Sequence, residues 1–450
     1  MKLKATLEMS AESMTLGSGD FPTDRHGWAE LLEDRRPRPP LRGDHRVAWA
    51  VIGAGVTGLA GARRLAELHP DAEIMLLEAR LVGQGASGRN SGFAVAVSHF
   101  DGGLGAGEMA DYRRINRINQ AGLELLRSRV AASAIDCQWR EDGFHHTAAD
   151  RPAVRKCGDY LRYLEAMEIA HTPLDAEALA ARLGTALYQS GVHVHQGALL
   201  QPAALVRGLA DSLPANVRLH ERSPVLGIEN GAPLTLTLAN AVVRADKLIL
   251  AANYEAAKLG FLRRYLIGST LSGSFTRALT EEELAGLGSL KEWGILSTHG
   301  GGATLRLTAD RRICLRNGAE YNGAALLSDR QLADRQSIHR AGFEKRFPKL
   351  AHVPFEYAFS GVEGISRNGA NFFGRRADNI YLAGGYNGSG VTRGTAFGAA
   401  LADYAGGGHS ALIDDCLASA PGAWIPPRPF LDIGALLTVR SRFRGVGLDR

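Results

Sequence analysis

The residues of this chain best placed to do chemistry are three glycines at a fixed spacing and one acid beyond them. Gly53, Gly55 and Gly58 spell G-x-G-x-x-G, and Glu78 follows about twenty residues on. Gly53 permits a tight turn, Gly55 lets a pyrophosphate approach the backbone, and Gly58 lets a helix lie close on a strand. Ala54, Val56 and Thr57 fill the bend, so their backbone N–H groups face an anion at a helix N-terminus with partial positive charge. Glu78 is set to accept hydrogen bonds from an adenosine ribose, and its charge repels a 2′-phosphate. FAD and NAD fit this pattern better than NADP.

The flanking segments supply the elements that this site requires. Val47 to Ile52 is apolar and predicts a buried strand. Leu59, Ala62, Leu65, Ala66 and Leu68 recur at helical spacing, and His69-Pro70-Asp71 ends the helix. Ile74 to Leu77 predicts the next strand, with Glu78 at its carboxyl end. An NAD domain usually continues into another helix, but here Gly83 to Gly92 reads GQGASGRNSG. A loop of such small residues lets backbone approach a flat ring system. Ala86, Ser87, Arg89, Asn90 and Ser91 are its candidate contacts, and FAD is favoured over NAD.

Composition narrows the class. With 450 residues, 45% of them hydrophobic, the chain can bury the cores of two or three domains. A net charge of +5 is too small and too evenly spread for a nucleic-acid partner. The basic runs at Arg35–Arg38 and Arg440–Arg444 read as solvated surface. Cys137, Cys157, Cys314 and Cys416 are scattered, so neither a metal cage nor a disulfide framework is expected, which fits a reducing cytoplasm. The first residues hold no continuous apolar core of a secretory signal, and no apolar run reaches the roughly eighteen residues of a membrane span. His193 and His195 share one strand face without a third ligand, and His145 and His146 point to opposite faces, so no metal is expected. Alternation in residues 233–252 and 304–318 predicts antiparallel pairs, the second turning at Ala309-Asp310.

Six blocks, in order, carry a family resemblance: residues 37–67 around the first bend, GASGRNSG (85–92), GALLQPAALVRGLA (197–210), ADKLILAANYEAAKL (245–259), FEKRFPKL (343–350) and NIYLAGGYNGSGVTRGTAFGAALADY (379–404). The chain resembles the FAD-dependent D-amino-acid oxidase/glycine oxidase/sarcosine oxidase superfamily, and within it the gamma-glutamylputrescine oxidase-like branch. The resemblance implies an α/β, two-domain fold. A discontinuous Rossmann-like FAD domain would take residues 46–135, 196–260 and 361–415. An antiparallel substrate domain would take 136–195 and 261–360. Residues 1–45 would be a partly disordered arm, and 416–450 a tail whose basic amphipathic helix packs on its own domain.

The last block reads as a second strand, glycine bend and helix. That helix N-terminus would face the polar edge of a flavin, where negative charge collects on reduction. The implied FAD contacts therefore add Ala79, Arg80, Val225, Ala252, Gly385, Gly388, Gly390 and Val391. The implied reaction oxidises the C–N bond of a small amine or amino acid. Hydride passes to flavin N5, the imine hydrolyses, and oxygen becomes hydrogen peroxide. Arg316 would be the cation that favours oxygen reduction, with Tyr386 and Asn387 directed at substrate. Sarcosine oxidases tether FAD to a cysteine at about the place of Gly361; its absence here implies non-covalent FAD. Asn368 and Asn371 stand where the family usually has Asp and Pro, which leaves the substrate open. A dehydrogenase using a quinone or other acceptor, and a non-catalytic flavoprotein, are the alternatives.

Overall fold

The computed structural model describes residues 26–288 and 291–450 and contains two eight-stranded sheets. The first has a parallel heart, in the order Ile380–Gly384, Ala241–Leu250, Gly43–Ile52, Ile74–Leu77 and Val217–His220. Phe372–Ala377 closes one edge antiparallel, and Val225–Glu229 and Leu234–Leu238 hang as an antiparallel extension of Ala241–Leu250. The central strands are apolar runs because both faces are covered. Val51, Leu76 and Ile249 point to the side packed by the helices Val56–Leu68 and Gly390–Ala405, while Ala50, Met75 and Leu250 point to the other.

A parallel sheet ends all its strands at one edge. Gly53, Glu78, Ala252 and Gly385 therefore arrive together at the carboxyl edge, where open α/β sheets bind ligands.

The second sheet runs Phe355–Ile365, Ile267–Thr276, Ile313–Glu320, Thr304–Leu307, Trp293–Ser297, Phe144–Ala148, Ser190–Val194 and His171–Asp175. All its pairs are antiparallel except that between Trp293–Ser297 and Phe144–Ala148. Both alternating segments form the antiparallel pairs that the sequence predicts. Phe355–Ile365 passes residue 361 without a break, so the chain leaves this sheet only after Ile365. The helix Asp329–Arg346 covers one face, where His339 meets the hydroxyls of Ser272 and Ser274. The alternate residues, Gly273 and Phe275, face the first domain.

From His26 onward the N-terminal arm packs on the body of the protein, with Trp28 as an apolar plug: 1% exposed, edge-on to Phe275 at 4.7 Å, its indole N–H donating to the Asn90 carbonyl at 2.7 Å. Arg35 then pairs with the buried Glu221 at 2.7 Å. The rest of the expected arm, residues 1–25, lies outside the described residues. At the other end, the helix Phe430–Phe443 packs through Leu431, Ala435, Val439 and Phe443, while Phe430, Ile433, Leu436 and Leu437 are exposed. Among the described residues no helix is long and apolar enough to cross a membrane, and no cluster of His, Cys, Asp and Glu could hold a metal ion.

Candidate functional site

The first bend is built by close approach. Gly53 has φ +99°, and a Cβ there would lie 2.8 Å from the Ala251 carbonyl oxygen. A Cβ on Gly58 would fall far inside contact with the Gly53 carbonyl, so strand and helix pack backbone to backbone. The helix Val56–Leu68 begins after Gly55 with no side-chain cap. Ser87 approaches it instead: its hydroxyl accepts from Val56 N at 3.1 Å. Glu78 braces the same bend, accepting from Ala54 N at 2.8 Å and, across Ala79, from Arg80 N at 2.9 Å. Burial pushes the Glu78 carboxyl up from its ordinary range. Ser223 N donates to the Glu78 carbonyl at 2.8 Å, which brings Val225 to this edge, and Arg80 lies 3.8 Å from Glu255 beyond Ala252.

The loop after the second strand holds its shape internally. Arg89 is nearly buried and donates to the carbonyl and side chain of Gln84 at 2.7 and 2.9 Å. It also reaches the Ser360 carbonyl, at 3.2 Å, on the second sheet. Asn90 donates to Ser87 O at 2.7 Å and accepts from Gly92 N at 2.8 Å. Ala86 and Ser91 complete the loop on its accessible side.

The second bend follows Ile380–Gly384. Gly385 and Gly388 have φ +73° and +92°, conformations that side chains rarely adopt. Asn253 Oδ1, from the neighbouring strand end, accepts from Gly385 N at 3.0 Å, and the Asn371 amide donates to Gly385 O. The helix Gly390–Ala405, opening at Gly390 and Val391, also starts without a side-chain cap. Its Arg393 is buried, donating to Asn119 Oδ1 and Tyr386 O at 3.1 Å each, and desolvation lowers its pKa to about 10.

The two bends form one site. A Cβ on Gly398 would drive into the Thr57 carbonyl, and one on Gly394 would sit 2.7 Å from Thr57 Oγ1. Thr57 Oγ1 and the Tyr386 hydroxyl are 2.8 Å apart. Two helix N-termini without side-chain caps thus lie side by side at the carboxyl edge. Each carries N–H donors that its own helix leaves unmade. A cofactor with a pyrophosphate and a second electron-rich edge fits that pair.

Two side chains expected to face substrate are committed elsewhere. Tyr386 is 7% exposed, its ring edge-on to Phe397 and its hydroxyl on Thr57, so the phenol couples two helices. Asn387, with φ +50°, uses its amide as a clamp: it accepts from Ser366 N at 2.9 Å and donates to Gly369 O and Gly385 O at 2.9 and 2.8 Å. Arg316 lies on the sheet face turned to the first domain and donates to Thr304 Oγ1. Tyr386→Phe should therefore lower stability by about 1 kcal/mol, the worth of one hydrogen bond. It should leave kcat nearly intact; a loss of more than about tenfold at full flavin content would return the phenol to the substrate. Asn253, Asn371 and Arg393 support the second bend more directly; Arg393 is the one basic residue of its helix, and Asn371 departs from the family pattern, while Asn253 carries no such signal.

The family model for DAO, "FAD dependent oxidoreductase", matches residues 48–404, a span that holds both bends. The chain belongs to this family. Among DAO relatives it is 28% identical over 356 residues to the gamma-glutamylputrescine oxidoreductase of Escherichia coli K12, covering 76% of this chain and 79% of that protein. Glycine oxidase from Geobacillus kaustophilus has the same fold: TM-score 0.65 at 18% identity, over 82% of this chain and 96% of that one. L-proline dehydrogenase from P. horikoshii, at TM-score 0.65 and 16% identity, covers 82% and 96%. This DAO protein is thus an FAD-dependent oxidoreductase with an α/β, two-domain fold.

Proposed function

We propose that the protein oxidises the C–N bond of a small amine or amino acid, with FAD held non-covalently across the two bends. The observation that carries this reading is the pair of helix N-termini, neither capped by its own N-cap side chain, joined through Thr57 and Tyr386. Backbone N–H groups of Gly55, Thr57 and Gly58 would hold the pyrophosphate, with Ala54 and Val56 fixed by Glu78 and Ser87, and Glu78 would hold the ribose hydroxyls. The loop from Ala86 to Ser91 and the bend at Gly385–Val391 would hold the ring system. Gly361 supports non-covalent attachment: no thiol stands there, and a Cβ would already be 2.8 Å from the Arg89 carbonyl.

When bound, FAD supplies the two-electron acceptor for hydride from the carbon that bears the amine. The chain supplies position and environment. The second sheet meets the first at the loop 85–92, where a Cβ on Gly361 would lie 2.8 Å from the Arg89 carbonyl, and a substrate amine desolvated there would be held in its neutral form. The imine product leaves and hydrolyses to a carbonyl compound and an amine. Arg316 would place a fixed positive charge on the covering sheet, where it stabilises anionic oxygen, so oxygen is the favoured final acceptor and hydrogen peroxide the co-product.

The test is the spectrum of the purified protein, then anaerobic mixing with amines and amino acids. A yellow protein whose band near about 450 nm bleaches with one of them supports the reading. Protein that is colourless and takes up no FAD would sink it. Peroxide formed with oxygen uptake distinguishes an oxidase from a dehydrogenase that uses a quinone.

A further inference from the structure

The helix Phe430–Phe443 carries two unlike faces. Leu431, Ala435, Val439 and Phe443 recur every four residues and are its less exposed side chains, and the helix meets the strand Ile313–Glu320 of the second sheet. Asp432, the one acid of the helix, is held by the Tyr321 hydroxyl at 2.9 Å and by Arg428 at 3.0 Å. The outward stripe is Phe430, Ile433, Leu437, Arg440 and Arg444, at intervals of three and four residues, with Leu436 beside it. Phe430, Leu437 and Ile433, at 66%, 61% and 55%, are the most exposed large apolar side chains among the described residues. Arg440 and Arg444 are exposed too. The segment that enters the helix adds Trp424 beside two more arginines: Arg367 donates to the Trp424 carbonyl at 3.4 Å, and Ile425 N to the Arg264 carbonyl at 2.8 Å.

The order of residues along the stripe selects what covers it. Its first two turns are apolar, its end is basic, and it holds no acid. A second copy laid on it in parallel would set Arg440 and Arg444 against their own counterparts. Laid antiparallel, it would bury both against Phe430 and Ile433. Either arrangement desolvates guanidinium groups without a carboxylate to pair them. A bilayer surface satisfies both parts at once. Apolar side chains enter the boundary between headgroups and acyl chains, and long basic side chains reach back to lipid phosphates.

We infer that this stripe docks the protein on the surface of an anionic phospholipid bilayer. Phe430, Ile433, Leu436 and Leu437 are the inserted residues, and Arg440 and Arg444 bind the phosphates. The helix of 14 residues, about 21 Å long, lies in the plane of the membrane and does not cross it. The flavin site takes no part in this contact, so the inference goes beyond the proposed reaction and is tested apart from it.

The full chain is mixed with vesicles of phosphatidylcholine alone and of phosphatidylcholine with phosphatidylglycerol, and the bound fraction is read by sedimentation. Binding to the anionic vesicles should exceed binding to the neutral ones by about twentyfold, since each arginine contributes about fivefold at an anionic surface. It should fall steeply as salt rises. Ile433→Asp combined with Leu437→Asp should weaken it at least about tenfold, and Arg440→Ala or Arg444→Ala about fivefold each. These changes leave the inner face of the helix intact, so thermal melts should match the parent. Leu226→Asp, at an exposed leucine of the strand Val225–Glu229, is the control and should bind as the parent does. Parent protein that stays in solution with anionic vesicles would overturn the inference, as would full binding by the double aspartate variant. Should that variant melt early, unchanged binding by both arginine variants overturns it in the same way. A dimer seen by light scattering without lipid, and split by the double variant, would give the stripe to a second copy instead.

Discussion

Gly58→Ala should purify with less than about a tenth of the FAD held by the unaltered protein and should melt earlier. Alanine in a helix ordinarily gains about 1 kcal/mol over glycine, so propensity alone predicts the opposite. Contact decides the outcome. The new Cβ would overlap the Gly53 carbonyl, which is backbone and cannot rotate away. Either the turn opens or the helix Val56–Leu68 shifts off the sheet, and overpacking of this kind costs about 1–3 kcal/mol or more. Any shift also displaces the N–H donors at the helix start. Gly158→Ala is the control: Gly158 lies within the helix Arg151–Ala166, and a Cβ there meets nothing within 4 Å. It should be neutral or slightly stabilising, with full flavin. Flavin content and thermal melts of the two variants check the argument, and a yellow Gly58→Ala protein of normal stability would refute the close approach.

Arg393→Met should be the most damaging change outside the first bend. The substitution keeps most of the volume but removes the donors to Asn119 Oδ1 and Tyr386 O. Asn119 Oδ1 would lose this donor, at about 1–3 kcal/mol, while Tyr386 O would keep the bond from Ser389 N at 3.2 Å. The loss should be about 1–3 kcal/mol in urea unfolding, with added FAD recovering only part of it. Met cannot restore the hold on the Tyr386 carbonyl, and that carbonyl begins the bend. Arg393→Lys should fall between the two, because one ammonium cannot reproduce the planar fork. If Arg393→Met unfolds like the parent, the buried guanidinium is not what supports this bend.

Much of this was legible from residue order. The first bend could be read because its physics forces a spacing: Gly53, Gly55 and Gly58 each answer a separate close approach, and Glu78 must stand at the next strand end. The parallel strands could be read because burial on both faces removes polar residues from them. The direction of Tyr386 is not legible, because a glycine-rich bend shows where a side chain begins and not which way it turns; here its hydroxyl turns to Thr57. Asn253 and Asn371 carry no periodic signal, since each acts on a partner distant in the chain. Trp28 was hidden for the same reason: its neighbours, Phe275, Asn90 and Phe359, come from three separate segments.

The hydroxyl contact between Thr57 and Tyr386 joins positions 329 residues apart. Translation proceeds at roughly 5–20 residues per second, so the first half of the clasp leaves the ribosome about 15–65 s before the second. During that wait the first bend has its phosphate donors but not the neighbour that completes the grip. Tight cofactor loading is then a post-synthetic event, and a nascent chain stalled short of residue 390 should have the opening βαβ unit yet retain no yellow colour.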